Sequence, residues 1–320
     1  MHFIKTLIAA ALTAGLASVA AAFPTKPVKL VVPYPPGGFP DTVARVVAKA
    51  LSEKWGQQVV VDNKPGGNGT VAAQALKALP ADGHTLLITD GSMFTINPAL
   101  YAKLEYDPKN DFIPVTALAR APLFLTAHTS LAANTFSEFV AYVRANPGKV
   151  AYGSSGIGST HHLSTEAMSA ALGLNMIHIP YKGMGQATPA LVGGQVQVLF
   201  TALPAIAGFV KDNRVKLLVQ NSSQRFSSQP QVPTVAESGV PGFDFAPTTI
   251  AMVSAGTPAA VIKQLAADIA SAVKSAGVTE TLLNSGVETI GSSSEDLAKQ
   301  LALEAERFGK TIRAINIKPE

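Results

Sequence analysis

The chain has 320 residues, of which 47% are hydrophobic and 14% are charged, and it contains no cysteine. This composition can bury a sizeable core without disulfides, and it excludes a lipoprotein anchor, which needs a cysteine. The formal net charge of +4 comes from scattered residues rather than from a Lys/Arg run, so the electrostatic footprint of a nucleic-acid-binding protein is absent.

Residues 1–22 have the three-part pattern of a secretory signal peptide. Lys5 gives a short positive start, residues 7–19 are apolar, and the alanines at 20–22 offer a cleavage site before Phe23. The apolar run is too short for a membrane-spanning helix. We therefore predict export and release into the periplasm; an ordinary amphipathic N-terminal helix is the alternative.

A strand, a glycine turn and a helix then follow one another. Residues 28–32 are the apolar run of a strand buried on both faces, Gly37 and Gly38 follow a proline pair, and residues 42–55 have helical apolar spacing. This order aims backbone N–H groups and the positive end of a helix dipole at one point, which suits an anion. Asp41 is placed to cap the helix or to lie in its first turn. Neither nucleotide-binding glycine pattern is present, and a plain turn without a ligand is the alternative.

The same order of elements recurs along the first third of the chain. Residues 58–62 and 84–89 are two further buried strands, and polar or glycine-rich turns follow them at residues 63–70 and 90–92. Strands that alternate with helical segments predict an open, mostly parallel α/β sheet. Ligands of such sheets bind outside the carboxyl ends of the strands, where these turns gather.

A second unit of this kind starts after a crossing near residues 122–126. Thr135 and Glu138 form a capping box for a helix, and the glycine-rich loop 153–160 joins a strand to a helix. The remaining predicted elements are strands at 176–180, 195–200, 216–220 and 250–253, an irregular segment at 229–244, and helices at 161–172, 258–276, 278–285 and 294–314. We predict one domain at 23–123 plus 248–320 and another at 124–247.

A series of short motifs resembles the Bug-type solute-binding proteins, the extracytoplasmic receptors related to tripartite tricarboxylate transporters. The motifs are Val-Pro-Tyr-Pro-Pro-Gly-Gly at 32–38, Asn-Lys-Pro-Gly at 63–66, Asp-Gly-His-Thr-Leu-Leu at 82–87, Asn-Pro-Ala-Leu-Tyr at 97–101, Tyr-Gly-Ser-Ser-Gly-Ile-Gly-Ser at 152–159, Tyr-Lys-Gly at 181–183, Gly-Gly-Gln-Val at 193–196 and Val-Pro-Thr-Val-Ala-Glu-Ser-Gly at 232–239. Each motif alone is weak, but the set covers essentially the whole mature chain in the right order.

The resemblance implies an α/β fold with two domains that close on a ligand. This is a type II-like periplasmic-binding-protein fold, or Venus flytrap, with mostly parallel sheets flanked by helices. It implies a monomeric periplasmic solute-binding protein, not an enzyme, with no cofactor, metal or nucleic acid. Such a protein captures a small organic carboxylate, either a dicarboxylate or an aromatic acid, for a membrane transporter or sensor.

The resemblance also implies a ligand site built from both domains. In the family, backbone N–H groups and hydroxyls of two glycine loops hold the ligand carboxylate, often through bridging waters. The residues predicted to bind the ligand are Gly38, Phe39, Asp41, Thr42, Ser92, Ser154, Ser155, Gly158, Ser159, Thr160, Tyr181 and Thr201.

Two of these residues depart from the family pattern. Phe39 is bulky and apolar where a small or polar residue is usual, and its ring can contact an aromatic or aliphatic part of the ligand. Thr201 stands where an acidic residue is usual. Because an acid at that point would bind an amino group, its absence argues against an amino-acid ligand.

Two other chemistries use residues of the second glycine loop. The alternative function is an exported hydrolase with Ser154 or Ser155 as nucleophile, but G-x-S-x-G is absent and no base is evidently placed to activate either hydroxyl. His161 and His162 open a helix with no third ligand at a metal-binding spacing, which favours a surface or supporting role over a metal site.

Overall fold

A computed structural model of the chain describes residues 23–315 and residue 317. The predicted signal peptide at 1–22 lies outside the described residues. No helix in the described part of the chain is both long and apolar enough to cross a membrane.

The described chain alternates strands and helices. The strands are β1 (Val28–Val32), β2 (Val59–Asn63), β3 (Thr85–Asp90), β4 (Phe112–Arg120), β5 (Leu123–His128), β6 (Ala151–Ser154), β7 (Ile177–Pro180), β8 (Val198–Ala202), β9 (Val215–Gln220), β10 (Thr248–Ser254) and β11 (Glu288–Thr289). The helices are α1 (Phe39–Trp55), α2 (Thr70–Lys77), α3 (Ser92–Thr95), α4 (Asn97–Leu100), α5 (Phe136–Ala145), α6 (Thr160–Leu172), α7 (Met184–Val192), α8 (Leu203–Lys211), α9 (Ala259–Val273), α10 (Ala276–Asn284) and α11 (Ser294–Ala314).

The strands form two mixed sheets. The six-stranded sheet has the order β11-β4-β10-β3-β1-β2, and the five-stranded sheet has the order β7-β6-β8-β5-β9. We call each sheet with its helices the first lobe and the second lobe, respectively. In the first lobe β1 to β4 share one direction and β10 lies antiparallel between β3 and β4. In the second lobe β6 to β9 share one direction and β5 lies antiparallel between β8 and β9.

The reversed strands β5 and β10 are the ones that directly follow the two crossings between the sheets. The other main strands of each sheet run parallel, and their carboxyl ends therefore lie at one edge. The predicted α/β fold, with two sheets flanked by helices and mostly parallel strands, is confirmed.

The first glycine turn sits between two well-packed elements. Strand β1 is buried except at Lys29, and α1 covers the sheet with Val43, Val47 and Leu51, all at most 1% exposed. Helix α1 begins at Phe39, earlier than the predicted residue 42, because the Pro in its first turn has no N–H to lose. The predicted start was wrong because proline is typical of turns as well as of the first helical turn.

The second glycine loop is likewise fixed by a core on one side and a cap on the other. Tyr152 and Phe200, on neighbouring strands, are fully buried in the second-lobe core. Ser159 caps α6 by accepting a hydrogen bond from the backbone N–H of His162. The predicted Thr135 cap of α5 is also present, since its hydroxyl accepts from the N–H of Glu138 at 3.2 Å.

The last helix, α11, connects the cores of the two lobes. Near its start Leu297 packs in a first-lobe cluster, whereas Phe308 and Ile312 pack in the core of the second lobe. The Phe308 ring meets the ring of Phe245, from the second crossing segment, edge-on at 5.1 Å between centroids. A change in the angle between the lobes must therefore be accommodated along α11.

Candidate functional site

The first glycine loop is held in shape by the carboxylate of Asp41. This side chain is 1% exposed; one oxygen accepts from the N–H of Gly37 at 2.8 Å and from Nε of Arg45 at 2.9 Å. The other oxygen accepts from the Asn63 amide at 2.8 Å. Burial opposes ionisation of Asp41, but the hydrogen bonds from Arg45, Gly37 and Asn63 outweigh it and lower the pKa. The geometry gives Asp41 a positioning role; its predicted contact with a ligand stays a prediction.

The first turn of α1 remains available to an anion. The first N–H groups of a helix have no partner within the helix, and Pro40 carries none. The turn therefore presents the backbone N–H groups of Phe39 and Asp41 beside Gly38, the residue that precedes the helix. The Phe39 ring is half-buried against the first-lobe core, and Thr42 is half-buried one position further along.

Replacing Asp41 by Asn is expected to destabilise the folded protein by about 2 kcal/mol, because charge-assisted hydrogen bonds to a buried carboxylate are lost. Urea unfolding followed by circular dichroism measures the change. Glu53→Gln, on the exposed side of the same helix, is the matched control and is expected to change stability by less than about 0.5 kcal/mol. Equal stability of Asp41→Asn and wild type would contradict the positioning role.

Many polar groups of the second glycine loop bond within the loop. The N–H of Gly156 donates to the Ser154 hydroxyl at 3.1 Å, and the N–H of Gly158 donates to Nδ1 of His162 at 3.1 Å. The Ser159 hydroxyl donates to the carbonyl of Gly156 at 2.7 Å while it caps α6. Ligand contacts of Ser154, Gly158 and Ser159 thus compete with internal bonds, and they stay predictions.

A stack of three rings lies beneath this loop. His162 and His178 lie 3.9 Å apart with their rings nearly parallel, and Tyr152 stacks on the other face of His178 at 4.8 Å. Burial lowers the pKa of each of these histidines to about 4, and the neighbouring His178 contributes to the shift at His162. Both rings are therefore neutral near pH 7 and can accept the hydrogen bonds of the loop.

The prediction that no base lies near the two serines was wrong. Nε2 of His178 is 2.7 Å from the hydroxyl oxygen of Ser154, and Nδ1 of His161 is 2.8 Å from that of Ser155. The sequence concealed the first pair because His178 belongs to a different strand. Ser154 is nevertheless fully buried, out of reach of a substrate. Among the described residues neither imidazole bonds to a carboxylate that would orient it, so the pairs do not form a catalytic triad.

The two lobes touch at the second loop. A Cβ atom on Gly158 would lie 2.4 Å from Cδ1 of Leu100, a first-lobe residue, so a larger residue here would force the Leu100 side chain to shift. Close by, Ser92 and Thr160 line one small cavity of about 10 Å³ between the lobes, room for about one water. Of the predicted ligand-binding residues, these two are brought together from opposite lobes.

Glu304, on α11, lines the same cavity and was not found from the sequence. Its carboxylate lies against Gly91, where a Cβ atom would be 3.1 Å from Oε2. Burial raises its pKa, against the hydrogen bond from Gln300. Tyr34 is a second residue that the sequence did not reveal: its hydroxyl lies 3.4 Å from that of Thr89, and burial next to Asp90 raises its pKa well above the usual range. No local pattern marks Glu304, because tertiary packing brings it to the cavity. Tyr34 stands within the motif at 32–38, but its contact with Thr89 joins the turn after β1 to β3 and does not show in the sequence.

Two predicted site residues, Tyr181 and Thr201, are packed or buried within the second lobe. Tyr181 packs over Gly153 against a small apolar cluster of the second lobe. Thr201 is fully buried, and its hydroxyl has no hydrogen-bond partner among the described residues. Their contact with a ligand stays a prediction.

Two α/β lobes joined by two crossings, with the second glycine loop in contact with the first lobe, define a solute-binding protein of the periplasmic-binding-protein class. The chain belongs to the TctC family, because the family model for the tripartite tricarboxylate transporter family receptor matches residues 43–317. This membership confirms the resemblance to the Bug-type proteins, which was drawn from the motifs.

Individual relatives agree over nearly their whole length. The chain is 32% identical to the protein BugT of Bordetella pertussis, over 96% of this chain and 95% of that protein. An R. palustris protein solved with adipate is 34% identical and superposes with a TM-score of 0.82, over 93% of this chain and 100% of that one. MatC from Rhodopseudomonas palustris, solved with bound malate, is 30% identical with a TM-score of 0.76, over 91% and 100% of the two chains.

Proposed function

We propose that this protein is a periplasmic receptor that captures a small dicarboxylate between its lobes and presents it to a membrane transporter or sensor. The observation that carries the proposal is that Ser92 and Thr160, from opposite lobes, meet at one cavity beside the start of α6. Because this cavity has room for only about one water, a dicarboxylate enters when the lobes move apart. The start of α6 and the Thr160 hydroxyl are suited to a carboxylate, whereas the Ser92 hydroxyl already donates to Asp90. Adipate and malate, found in the two similar structures, are both dicarboxylates, which favours this class over aromatic acids.

The domain boundaries and the export of the protein to the periplasm are part of the proposal. The chain changes sheet between Arg120 and Leu123 and returns between Gln220 and Thr248, which supports domains at 23–123 plus 248–320 and at 124–247. The leader-like pattern at 1–22 supports export through a cleavable signal peptide, and membership of a receptor family supports a binding role without catalysis. We take the protein to act as a monomer.

Binding of adipate, malate, succinate and benzoate, each added singly, tests the function by isothermal titration calorimetry and thermal shift. We expect at least one dicarboxylate to bind and to raise the melting temperature by mass action. Thr160→Val and Ser155→Ala are expected to weaken binding about tenfold each, since a hydrogen bond to a charged group contributes about 1.5–3 kcal/mol.

Ser130→Ala is the matched control, because Ser130 is exposed in the second lobe and its hydroxyl bonds to His128. This variant is expected to bind as the wild type does. Absence of binding by every acid, or unchanged affinity in both cleft variants, would contradict the proposal.

A further inference from the structure

A larger cavity lies at the hinge, next to the small cavity that Ser92 and Thr160 line. It has a volume of about 440 Å³, within the range of small-molecule sites. Both crossings contribute to its wall, through Arg120 at the end of β4 and through Asp244 and Thr248 on the return. Helix α11 forms the opposite side with a row of polar residues that includes Lys299, Glu304 and Arg307.

Arg307 is the cation of this cavity that lacks an ion pair among the described residues. Its Nε is buried without a hydrogen-bond partner, and it forms no ion pair within the described chain. The guanidinium instead stacks near the rings of Phe245 and Phe308, at 5.2 and 5.8 Å from their centroids. The stacking fixes the plane of the guanidinium. Because Nε is buried, the two terminal NH2 groups are the donors left for an acceptor such as a carboxylate.

The remaining charges decide which kind of ligand fits. The other two cations of the wall are already paired, Arg120 with Glu288 and Lys299 with Glu295. The carboxylate of Asp244 accepts one long hydrogen bond, at 3.5 Å, from the N–H of Ala246. Two further acids line the wall: Asp296, whose carboxylate accepts from the Ser293 hydroxyl at 2.6 Å, and Glu304, whose pKa is raised by burial and lowered in part by the charge of Arg307. One open cation facing acids suits a ligand with a carboxylate and an ammonium group better than it suits a dianion.

We propose that the hinge cavity is a second ligand site, which binds a free α-amino acid with its carboxylate on Arg307 and its ammonium group toward Asp244. The site adjoins the small cavity between the lobes, because Ala246, Thr248 and Glu304 line both, but Arg307 and Asp244 line the hinge cavity and not the small one. Because both crossings form its wall, occupancy changes the relative stability of hinge angles, and binding at the cleft and at the hinge are thermodynamically coupled in both directions.

Isothermal titration of the whole mature protein with each proteinogenic L-amino acid tests the site. We expect at least one of them to bind, and we expect Arg307→Gln and Asp244→Asn each to weaken that binding about tenfold or more. Lys310→Gln is the matched control: Lys310 lies one turn further along α11, is exposed and pairs with Glu306. Circular dichroism checks that each variant is folded.

Two further measurements separate this site from the cleft. Thr160→Val, a cleft substitution, is expected to leave amino-acid affinity unchanged whether or not the cleft binds a dicarboxylate. The amino acid that binds is also compared with its analogues lacking either the amino group or the carboxyl group, and both are expected to bind at least tenfold more weakly. Failure of every amino acid to bind, equal affinity in Arg307→Gln and wild type, or loss of binding in Thr160→Val would overturn the proposal.

Discussion

Acidification from about pH 7 to about pH 4.5 is expected to lower the free energy of unfolding by several kcal/mol, because buried histidines of the second lobe stay neutral while the unfolded chain takes up protons. His161, His162 and His178 all have a pKa lowered to about 4 by burial. The unfolded chain binds protons at these residues below about pH 6.5, and the native protein does not until about pH 4. Stability therefore falls as the pH decreases through this window.

The size of the effect can be stated for the most buried of the three. His162 is 6% exposed, and a pKa lowered from 6.5 to about 4 corresponds to about 3 kcal/mol at full protonation of the unfolded chain. Protonation of His162 would also remove the acceptor for the N–H of Gly158 and place a charge against His178. We expect the second glycine loop to be the first part of the lobe to rearrange in acid.

Urea unfolding at a series of pH values measures this dependence. His178→Phe keeps an aromatic ring in the stack but cannot take up a proton. The slope of its unfolding free energy against pH is therefore expected to be smaller than that of the wild type, by the equivalent of up to about one bound proton. Ser130→Ala, exposed in the second lobe and outside the stack, is the control with an unchanged slope, because the substitution removes no ionisable group. A wild-type protein equally stable at both ends of the range would contradict the prediction.

Gly158→Ala is expected to weaken dicarboxylate binding at least tenfold, by preventing the second loop from reaching the first lobe. The added Cβ would lie 2.4 Å from Cδ1 of Leu100, which is 8% exposed and has little room to move. Gly158 also has a φ of +75°, a conformation that costs a non-glycine residue about 1–2 kcal/mol. The substitution therefore combines backbone strain with a clash across the cleft.

Gly148→Ala separates these two contributions. Gly148 has a φ of +68°, but a Cβ there would meet no atom within 4 Å. In urea unfolding, Gly148→Ala is expected to lose about as much stability as Gly158→Ala. In calorimetry it is expected to bind a dicarboxylate as tightly as the wild type does. If Gly158→Ala binds a dicarboxylate as tightly as Gly148→Ala does, contact between the loop and Leu100 is not needed for binding.

Local sequence was sufficient for most of the elements. Helix α11 was predicted at 294–314 and is observed at Ser294–Ala314, because its cap and its apolar spacing are both contained within the segment. The two strand–loop–helix units were found in the same way. The start of α1 was misplaced by a few residues because prolines are compatible with both a turn and a first helical turn.

The sequence by itself determined the strand–loop–helix units and the family, since turn chemistry and apolar periodicity act over a few residues. It could not reveal that the hydroxyl of Ser154 faces His178, that Gly158 touches Leu100, or that Glu304 reaches the cleft from the last helix. Those contacts join residues of different elements, and only the packing of whole elements brings them within hydrogen-bond or van der Waals distance. The fold was therefore predictable from local patterns, whereas the protonation and the internal hydrogen bonds of the site were decided by the tertiary structure.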